Sequence, residues 1–550
     1  MSEGTAAARA ERSEAMLQRL EQIGALLFDE DTRRSLLARG PGPYLDEVAR
    51  EIRLRGDDEL TWVALVSFTA AYPTSELFQW FRRAIALAPE EAALRIFMEA
   101  GSRTATGFAD LGARVEVVTG AVLVDVDFPA RHGHNTGVQR VVRQTVSRWD
   151  ATHEIIPVAW VHGSLSFRRL SAIERERVVD WAASDRRAWR HGDPERTEFV
   201  VPYRCVVVIP SVPEYNQCGP LSALAEHSGN EVVILGHDAI PVISADTVPP
   251  EETVRYVNFL SVVKHAARVA TVSSAAALEY GGFVRALPAQ GLVGPSVQAV
   301  PLPVELPDGI RTVGGTTSSM PLVLCVGSQE PRKNHLAVLH AAEVLWRAGL
   351  RFRLRFIGGA NPWSHQVFDP RVRELVAAGR PVEVLRGVGD DVLVASYREA
   401  RFLAFPSLHE GYGLPVAEAL SIGLPVLTSK FGSTAQIAEH GGCVLIDPAS
   451  DDELIDAMRA LLTDAELLER LRREAVERPV RTWDDYAAEL WEALIAPSAF
   501  LDSEPLDSEP TDSEPLDSEP TDSESLEPES AGPERLDPEP TEPEEARRAQ

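Results

Sequence analysis

The hydrophobic residues of the first 115 positions recur at helical spacing. Met16, Leu20, Ile23 and Leu27 lie three or four positions apart, so they share one face of a helix. The same spacing of apolar residues continues further along the segment, and the segment contains no sequence repeat with a fixed period. Residues 1–115 are therefore predicted to form a helical accessory region and not a repeat array.

From Ala121 onward, short apolar runs alternate with helical stretches. The runs are rich in β-branched residues, which is typical of buried strands in parallel sheets. In the first series they are Ala121–Val126, Ile155–Trp160, Cys205–Ile209, Val232–Leu235 and Val269–Val272. In the second series they are Leu322–Val326, Arg353–Ile357, Val382–Leu385, Phe402–Phe405, Val426–Thr428 and Val444–Ile446.

Two successive series of this kind predict an α/β fold with two Rossmann-like, doubly wound domains that face a cleft. We assign residues 116–305 to the first domain and residues 320–480 to the second. Residues 301–319, rich in Pro, Gly, Thr and Ser, are interpreted as the linker across the cleft. Residues 481–498 are predicted to form a closing helix.

The C-terminal segment, 499–550, has a different character. It repeats a five-residue unit that begins with Leu501-Asp502-Ser503-Glu504-Pro505. Its last 50 residues hold 18 Asp or Glu and 3 Arg, a net charge of −15, and the remaining 500 residues carry the other −14 of the total of −29. Such a composition predicts a disordered acidic tail, which either solvates the chain or docks a basic partner. An acidic body argues against a nucleic-acid partner.

The overall composition, with 44% hydrophobic and 25% charged residues, is that of an ordinary soluble protein. No apolar run reaches the ~20 residues that cross a bilayer, and Met1–Gly4 does not resemble the start of a secretion signal. The four scattered cysteines have neither metal nor disulfide spacing. These features predict a cytoplasmic protein. The arginine-rich residues 168–191 are interpreted as a solvated helical insertion or, alternatively, as a peripheral membrane contact.

The stretch His409–Leu420 carries two carboxylates, Glu410 and Glu418, across a Gly-rich turn that leads into a predicted helix. Gly411 and Gly413 let the backbone approach a ligand closely. Glu418 is predicted in the opening turn of the helix, beside unpaired backbone donors that attract anions. Carboxylates accept hydrogen bonds from sugar hydroxyls, so the stretch predicts a site for a phosphorylated sugar.

Two further loops of the second series offer binding groups for anions. Gly327–His335 contains the adjacent cations Arg332 and Lys333, which are suited to clamping a diphosphate. Ser429–Thr434 follows a later strand and opens another helix, whose free N–H groups are predicted to form a second anion site.

The stretch with Glu410 and Glu418 resembles the Glu-x7-Glu signature of retaining nucleotide-sugar glycosyltransferases with the GT-B fold, in particular glycosyltransferase family 4 (glycosyl transferases group 1). The resemblance is strong over Leu322–Leu494 and looser over Ala121–Pro303. It implies that Glu410 lies by the donor sugar, that Glu418 holds the nucleotide ribose, and that Arg332 and Lys333 neutralise the leaving diphosphate. The loop after Ser433 departs from the family, because Ala435-Gln436 stands where Pro-Glu is usual.

In the first half, the loop His132–Arg140 is similar to the Gly-rich loop that family members place over donor and acceptor. Gly236–Pro241 resembles the family's His-Asp-x-x-Pro motif, in which Asp238 would orient the acceptor hydroxyl or His237 would contact the sugar. The alternative is a polar strand end that caps a helix. The resemblance assigns donor contacts to Glu418, Gly411, Tyr412, Gly413, Leu414, Ser433, Thr434, Gly137, Gly358 and Val388.

Asp125 and Asp127 match the Asp-x-Asp pair that holds a divalent cation in the other major glycosyltransferase fold. They lie on the first strand of the two-domain region, whose cationic loops already neutralise a diphosphate, so we assign them a structural role and expect no metal.

The sequence thus predicts a metal-independent hexosyltransferase. Its substrates would be a GDP- or UDP-linked sugar, which is a donor and not a cofactor, and a glycan or lipid-linked acceptor. A nucleotide-sugar epimerase of the same architecture and a non-catalytic nucleotide-sugar-binding protein remain as alternatives.

Overall fold

The computed structural model describes residues 3–89, 92–104, 112–133, 137–161, 165–181, 198–303 and 320–501. Most of the predicted linker, the acidic tail beyond residue 501 and the end of the arginine-rich segment lie outside the described residues. Within the described residues, no helix combines the length and the apolar composition that are needed to span a membrane.

The predicted helical character of the N-terminal segment is confirmed. Its helices are α1 (Glu3–Leu27), α2 (Glu30–Arg39), α3 (Pro41–Arg55), α4 (Asp58–Thr69), α5 (Ser75–Leu87) and α6 (Ala93–Arg103). Leu20 and Ile23 of α1 are buried in one core with Val115 of the first sheet. The buried Arg19 donates from Nε to Ala113 O (2.8 Å), which anchors the start of the sheet to α1. The helices therefore share a hydrophobic core with the sheet.

The next part of the chain forms a sheet with helices along it. Its strands are β1 (Arg114–Thr119), β2 (Val122–Asp125), β3 (Ile155–Val161), β4 (Ser166–Arg169), β5 (Glu198–Tyr203), β6 (Val206–Ile209), β7 (Glu231–Gly236), β8 (Arg268–Thr271) and β9 (Ser296–Ala299). Its helices are α7 (Asp127–Arg131), α8 (Gly137–Thr152), α9 (Ala172–Val179), α10 (Tyr215–His227), α11 (Ile240–Ile243), α12 (Pro250–Val263) and α13 (Ser274–Val284).

Among the described residues these nine strands are ordered β1-β5-β4-β3-β2-β6-β7-β8-β9. β4 pairs antiparallel with both of its neighbours, and the other pairs are parallel. The five strands expected in this half are confirmed as β2, β3, β6, β7 and β8. The sequence analysis did not predict β1, β4, β5 and β9. β1 begins at Arg114, inside the segment that was predicted to be helical.

The second half forms a parallel sheet whose order is β12-β11-β10-β13-β14-β15 in the described part of the chain. Its strands are β10 (Leu322–Val326), β11 (Arg353–Ile357), β12 (Val382–Leu385), β13 (Phe402–Phe405), β14 (Val426–Ser429) and β15 (Cys443–Ile446). Its helices are α14 (His335–Arg347), α15 (Asp369–Ala377), α16 (Asp390–Glu399), α17 (Leu414–Ser421), α18 (Gly432–Ala438), α19 (Asp451–Thr463), α20 (Ala465–Val476) and α21 (Trp483–Leu494).

All six strands predicted for this half are present, so the two-sheet α/β fold expected from the sequence is confirmed. The last helix, α21, returns to the first half. There Trp149 of α8 donates from Nε1 to Ala487 O (2.9 Å), and Arg268 of β8 donates from Nε to Leu494 O (2.8 Å). These contacts pack α21 against α8 and β8 of the first half.

Candidate active site

A cavity of about 1050 Å³ lies between the two halves, at the carboxyl ends of their strands. In doubly wound sheets the loops at this edge meet and form binding crevices. Most of the predicted site residues line the cavity: Gly137, His237, Asp238, Arg332, Lys333, Gly358, Glu410, Gly411, Tyr412, Gly413, Leu414 and Glu418. Residues 134–136 of the predicted Gly-rich loop lie outside the described residues.

Gly327 and Gly358 bring two strand ends of the second sheet into contact. Gly358 has a φ of +158°, and a Cβ on it would lie 1.9 Å from the carbonyl oxygen of Gly327. A side chain at Gly358 would therefore force the loops after β10 and β11 apart. The glycine has a packing role that needs no ligand, besides its position in the cavity wall.

The two predicted cations and the first predicted carboxylate form one ion cluster. Lys333 Nζ lies 2.6 Å from Glu410 Oε1, and Arg332 Nη1 lies 3.0 Å from Glu410 Oε2. Arg332 Nε also contacts Glu330 Oε2 at 3.0 Å. The sequence predicted that these groups share a cleft, whereas the structure shows them in direct contact.

The cluster is largely shielded from solvent, since the side chains of Lys333 and Glu410 are 8% and 9% exposed. Burial alone would raise the pKa of Glu410, but the charges of Lys333 and Arg332 outweigh it and hold that pKa at about 2. Burial lowers the pKa of Lys333, and the charge of Glu410 opposes this shift. Glu410 is therefore ionised at neutral pH, and its charge holds two cations at the cavity wall.

Glu418, the second predicted carboxylate, lies on α17. Because α17 begins at Leu414, Glu418 is its fifth residue, and the prediction that it occupies the opening turn is wrong. Its Oε1 accepts from Arg140 Nη1 (2.5 Å), and its Oε2 accepts from the Tyr397 hydroxyl (2.8 Å). Its partners are thus side chains from α8 and α16, and not the backbone donors at the start of α17.

The loop Gly411–Gly413 fits against the first half with little room to spare. Gly413 has a φ of +106°, in the left-handed region that favours glycine. The Tyr412 hydroxyl donates to Leu302 O (2.6 Å), and Ser273 Oγ donates to Gly411 O (2.6 Å). A Cβ on Gly411 would lie 2.6 Å from Asp238 Oδ2, so only glycine fits between the halves here.

Gly411→Ala should therefore destabilise the protein by about 1–3 kcal/mol, as overpacking of a tight contact does. Gly359→Ala is the matched control, because Gly359 lines the same cavity but a Cβ there meets nothing within 4 Å. Urea unfolding of both variants measures the difference. Equal free energies of unfolding for the two would contradict the tight contact.

His237 and Asp238 follow β7 and line the cavity. His237 Nε2 donates to Pro210 O (2.9 Å), and Asp238 Oδ1 accepts from Ile240 N (3.1 Å) at the start of α11. Burial raises the pKa of Asp238 to about 6, with Arg332 opposing the shift. Asp238 thus both bonds to the backbone at the start of α11 and lines the cavity, and its contact with a ligand stays a prediction.

His409, next to Glu410, connects the two halves. Its Nε2 lies 2.7 Å from Glu279 Oε1 of α13, and its Nδ1 lies 2.8 Å from Ser244 Oγ. The hydrogen bond to Glu279 raises the pKa of His409, with smaller contributions from Asp238 and Glu410. The His409 imidazole is thus paired with a carboxylate of the first half.

Because the pKa of His409 is raised by folding, this pair stabilises the protein below the ordinary pKa of ~6.5, and the contribution is lost as pH rises through the folded value. His409→Gln should therefore lower the Tm more at pH 6 than at pH 9. The exposed His440→Gln is the control and should show no such trend. A His409→Gln effect that is independent of pH would contradict the ion pair.

Three predicted donor contacts are not part of the cavity wall. Ser433 Oγ donates to Glu410 O (2.8 Å), so it supports the loop that carries the carboxylate. The Thr434 hydroxyl donates within its own loop, to Phe431 O (3.3 Å), and Val388 packs against a hydrophobic core. None of the three belongs to the residues that line the cavity. The side chains of Ser433 and Thr434 thus make structural bonds, and the second anion site, which was predicted from the backbone N–H groups at the start of α18, stays a prediction.

The carboxylates of Asp125 and Asp127 accept hydrogen bonds from residues of the first half. Trp160 donates from Nε1 to Asp125 Oδ2 (2.8 Å) and from its backbone N to Asp127 Oδ1 (2.8 Å). Arg131 Nε also donates to Asp127 Oδ1 (2.7 Å). These bonds fit the structural role that the sequence suggested. Only Asp125 ends a strand, however, since Asp127 begins α7.

Sequence reasoning missed the contributions of Arg140, Tyr397 and Glu279. Arg140 ends the predicted Gly-rich loop His132–Arg140 and lies next to the buried Val141 and Val142. A charged residue beside buried positions was a signal that it has a partner. The identity of that partner depends on how the halves meet, which no local pattern contains.

Residues 310–478 match the family described as Glycosyl transferases group 1. The serotype-specific mannosyltransferase WbdA of Escherichia coli is 33% identical over 135 residues, 24% of this chain and 16% of that protein. The MMP alpha-(1->4)-mannosyltransferase of Mycolicibacterium hassiacum is 36% identical over 114 residues, 20% of this chain and 27% of that protein. The alignments thus span less than a third of either relative.

Among solved structures, sucrose-phosphate synthase from Thermosynechococcus elongatus is similar at 14% identity with a TM-score of 0.48, covering 68% of this chain and 98% of that chain. The family match includes Arg332, Lys333, Glu410 and Glu418. The similarity to the glycosyl transferases group 1 family thus lies in the second half of this chain.

Proposed function

We propose that this protein is a retaining glycosyltransferase that moves a hexose from a nucleoside-diphosphate sugar to an acceptor hydroxyl. The observation that supports this most directly is the contact of Glu410 with both Lys333 and Arg332 in the wall of the cavity. These residues lie in the segment that matches the glycosyl transferases group 1 family. The site therefore combines fixed cations for a diphosphate with carboxylates for sugar hydroxyls.

In the proposed reaction, the bond between the anomeric carbon and the β-phosphate oxygen breaks, and the acceptor oxygen bonds to the same carbon. Negative charge develops on the departing diphosphate, and Lys333 and Arg332 stabilise it. An ammonium has three N–H donors and a guanidinium five, so each can contact Glu410 and the diphosphate at once. This electrostatic catalysis requires no metal ion.

The departing phosphate oxygen takes the proton of the acceptor hydroxyl, so that no protein base is required. Attack then comes from the face of the leaving group, and the anomeric configuration is retained. Contacts between the halves, such as Ser273 with Gly411 and Tyr412 with Leu302, close the cleft and exclude water, which competes as an acceptor.

Relatives named as mannosyltransferases support a mannose donor, linked to GDP or UDP. The acceptor is then a glycan or a lipid-linked sugar, and the reaction takes place in the cytoplasm. Glu410 faces the hexose and Glu418 the ribose, while Asp238 or His237 contacts the acceptor or the transferred sugar from the first half.

The proposal is tested by a thermal-shift screen of GDP- and UDP-linked sugars, followed by reaction of the binders with oligosaccharide and lipid-linked acceptors. We expect release of the nucleoside diphosphate, a lengthened glycan, and NMR couplings that show the anomeric configuration of the donor. EDTA should leave the rate unchanged. A donor whose sugar is epimerised without transfer would instead identify an epimerase, and binding without turnover would identify a sensor.

A further inference from the structure

The side chain of Arg140 crosses the cleft. Arg140 belongs to α8 of the first half, and its Nη1 donates to Glu418 Oε1 on α17 of the second half (2.5 Å). The Tyr397 hydroxyl of α16 donates to the other carboxylate oxygen (2.8 Å). All three side chains line the cavity. Glu418 is therefore held from both sides, by one donor from each half.

This arrangement leaves acceptor capacity on Glu418 for a ligand. A carboxylate has about four lone-pair positions, two on each oxygen. Arg140 and Tyr397 occupy one position on each oxygen, and the remaining ones can accept from the two adjacent hydroxyls of a ribose. The two bonds fix the plane of the carboxylate, so that a ribose meets an oriented acceptor without an added ordering cost.

The Arg140–Glu418 pair is sheltered from water, which strengthens its electrostatics. Their side chains are 19% and 11% exposed, and the guanidinium carbon lies 5.9 Å from the ring centre of Trp483. Charge-assisted bonds are stronger in such surroundings than at an exposed surface. The pair also exists only when the halves are close together, because each half supplies one partner.

We infer that Arg140 is a donor-positioning residue, which orients Glu418 toward the ribose hydroxyls and thereby couples donor binding to the approach of the two halves. This inference rests on the proposed function, since it takes a nucleoside diphosphate as the ligand. It adds a residue of the first half to the nucleotide end of the site.

Calorimetric titration of the full-length protein with UDP and GDP, and with their 2′,3′-dideoxy forms, tests the role of Arg140. Arg140→Ala should weaken binding of the ribose form by about 10-fold or more, the usual loss for one charge-assisted hydrogen bond. Binding of the dideoxy form, which lacks the hydroxyls that Glu418 accepts, should change much less. Tyr397→Phe should show the same selectivity with a smaller loss.

The matched control is Arg148→Ala. Arg148 also lies on α8 and lines the same cavity, and it pairs with Asp484 of α21, but Asp484 is 82% exposed, so the pair contributes little. Its loss should leave the ratio of ribose to dideoxy affinity unchanged. In steady-state assays Arg140→Ala should raise KM for the donor more than it lowers kcat, which a general loss of folding would not do.

Arg140→Ala also leaves Glu418 with one partner fewer, so Arg140→Lys, which keeps the positive charge, is measured beside it. If Arg140→Lys loses less affinity than Arg140→Ala, and loses it only for the ribose form, the inference is supported. Equal losses for the ribose and dideoxy forms, or unchanged binding in Arg140→Ala, would overturn it while the proposed function stands. If the parent protein binds neither UDP nor GDP, the proposed function fails and this inference fails with it.

Discussion

Lys333→Ala is expected to lower turnover by about 10²-fold or more, as the loss of a fixed group facing developing charge does in other enzymes. Lys333 is nearly buried and lies 2.6 Å from Glu410, so its ammonium has a fixed position in the cavity wall. Without it, the leaving diphosphate faces Arg332 alone. The rate with saturating donor and acceptor is the measurement, with the Tm recorded beside it.

Lys264→Ala is the control for this prediction. The chain has three lysines, Lys264, Lys333 and Lys430, and Lys264 follows the end of α12, away from the residues that line the cavity. Its replacement should leave both turnover and the Tm as in the parent. A Lys333→Ala protein that folds normally and keeps the parental rate would remove Lys333 from the catalytic machinery.

Glu410→Gln is expected to abolish most activity and also to destabilise the fold by about 3 kcal/mol, since it leaves the buried Lys333 without its carboxylate partner and Arg332 with Glu330 as its ion-pair partner. The pKa of Glu410 is about 2 in the folded protein. Because folding lowers this pKa, the stabilisation is present above the unfolded pKa of ~4.3 and is lost as pH falls through the folded value.

Urea unfolding of parent and Glu410→Gln at pH 7, 5 and 3 measures this contribution. The difference in free energy of unfolding should be constant from pH 7 to 5 and smaller at pH 3. Glu383→Gln is the matched control, since Glu383 also contacts two cations but is 37% exposed, and both of its arginines share Glu399. Its loss should cost less than about 1 kcal/mol. Equal costs for the two variants would contradict a buried cluster.

Strands β10 and β13 of the second half were predictable because they are continuous apolar runs that are buried at every position. β11 and β12 carry charged residues and are less buried, yet the predicted bounds of β10, β11, β12 and β13 all coincide with the observed ones. The outer strands of the first half lack this signal. β1 has only two buried positions of six, β4 contains two arginines, and β9 is half polar, so their strand character depends on neighbours in the sheet.

The candidate site was predictable where local chemistry determines it. Arg332, Lys333 and Glu410 follow strand ends of one parallel sheet, so they had to share its carboxyl edge. The bonds of Glu418 to Arg140, and of His409 to Glu279, join residues from different halves. They depend on how the two halves meet, which the sequence pattern does not encode. Ser433 illustrates the opposite error, because its hydroxyl holds the loop backbone instead of lining the cavity.

The most direct measurement of the central claim is a crystal structure of the protein with a bound nucleoside diphosphate, UDP or GDP. The account predicts diphosphate oxygens within hydrogen-bond distance of Lys333 Nζ and the Arg332 guanidinium, and ribose hydroxyls on Glu418. A diphosphate bound outside the cavity, or inside it with Lys333 and Arg332 still facing only Glu410, would contradict the account.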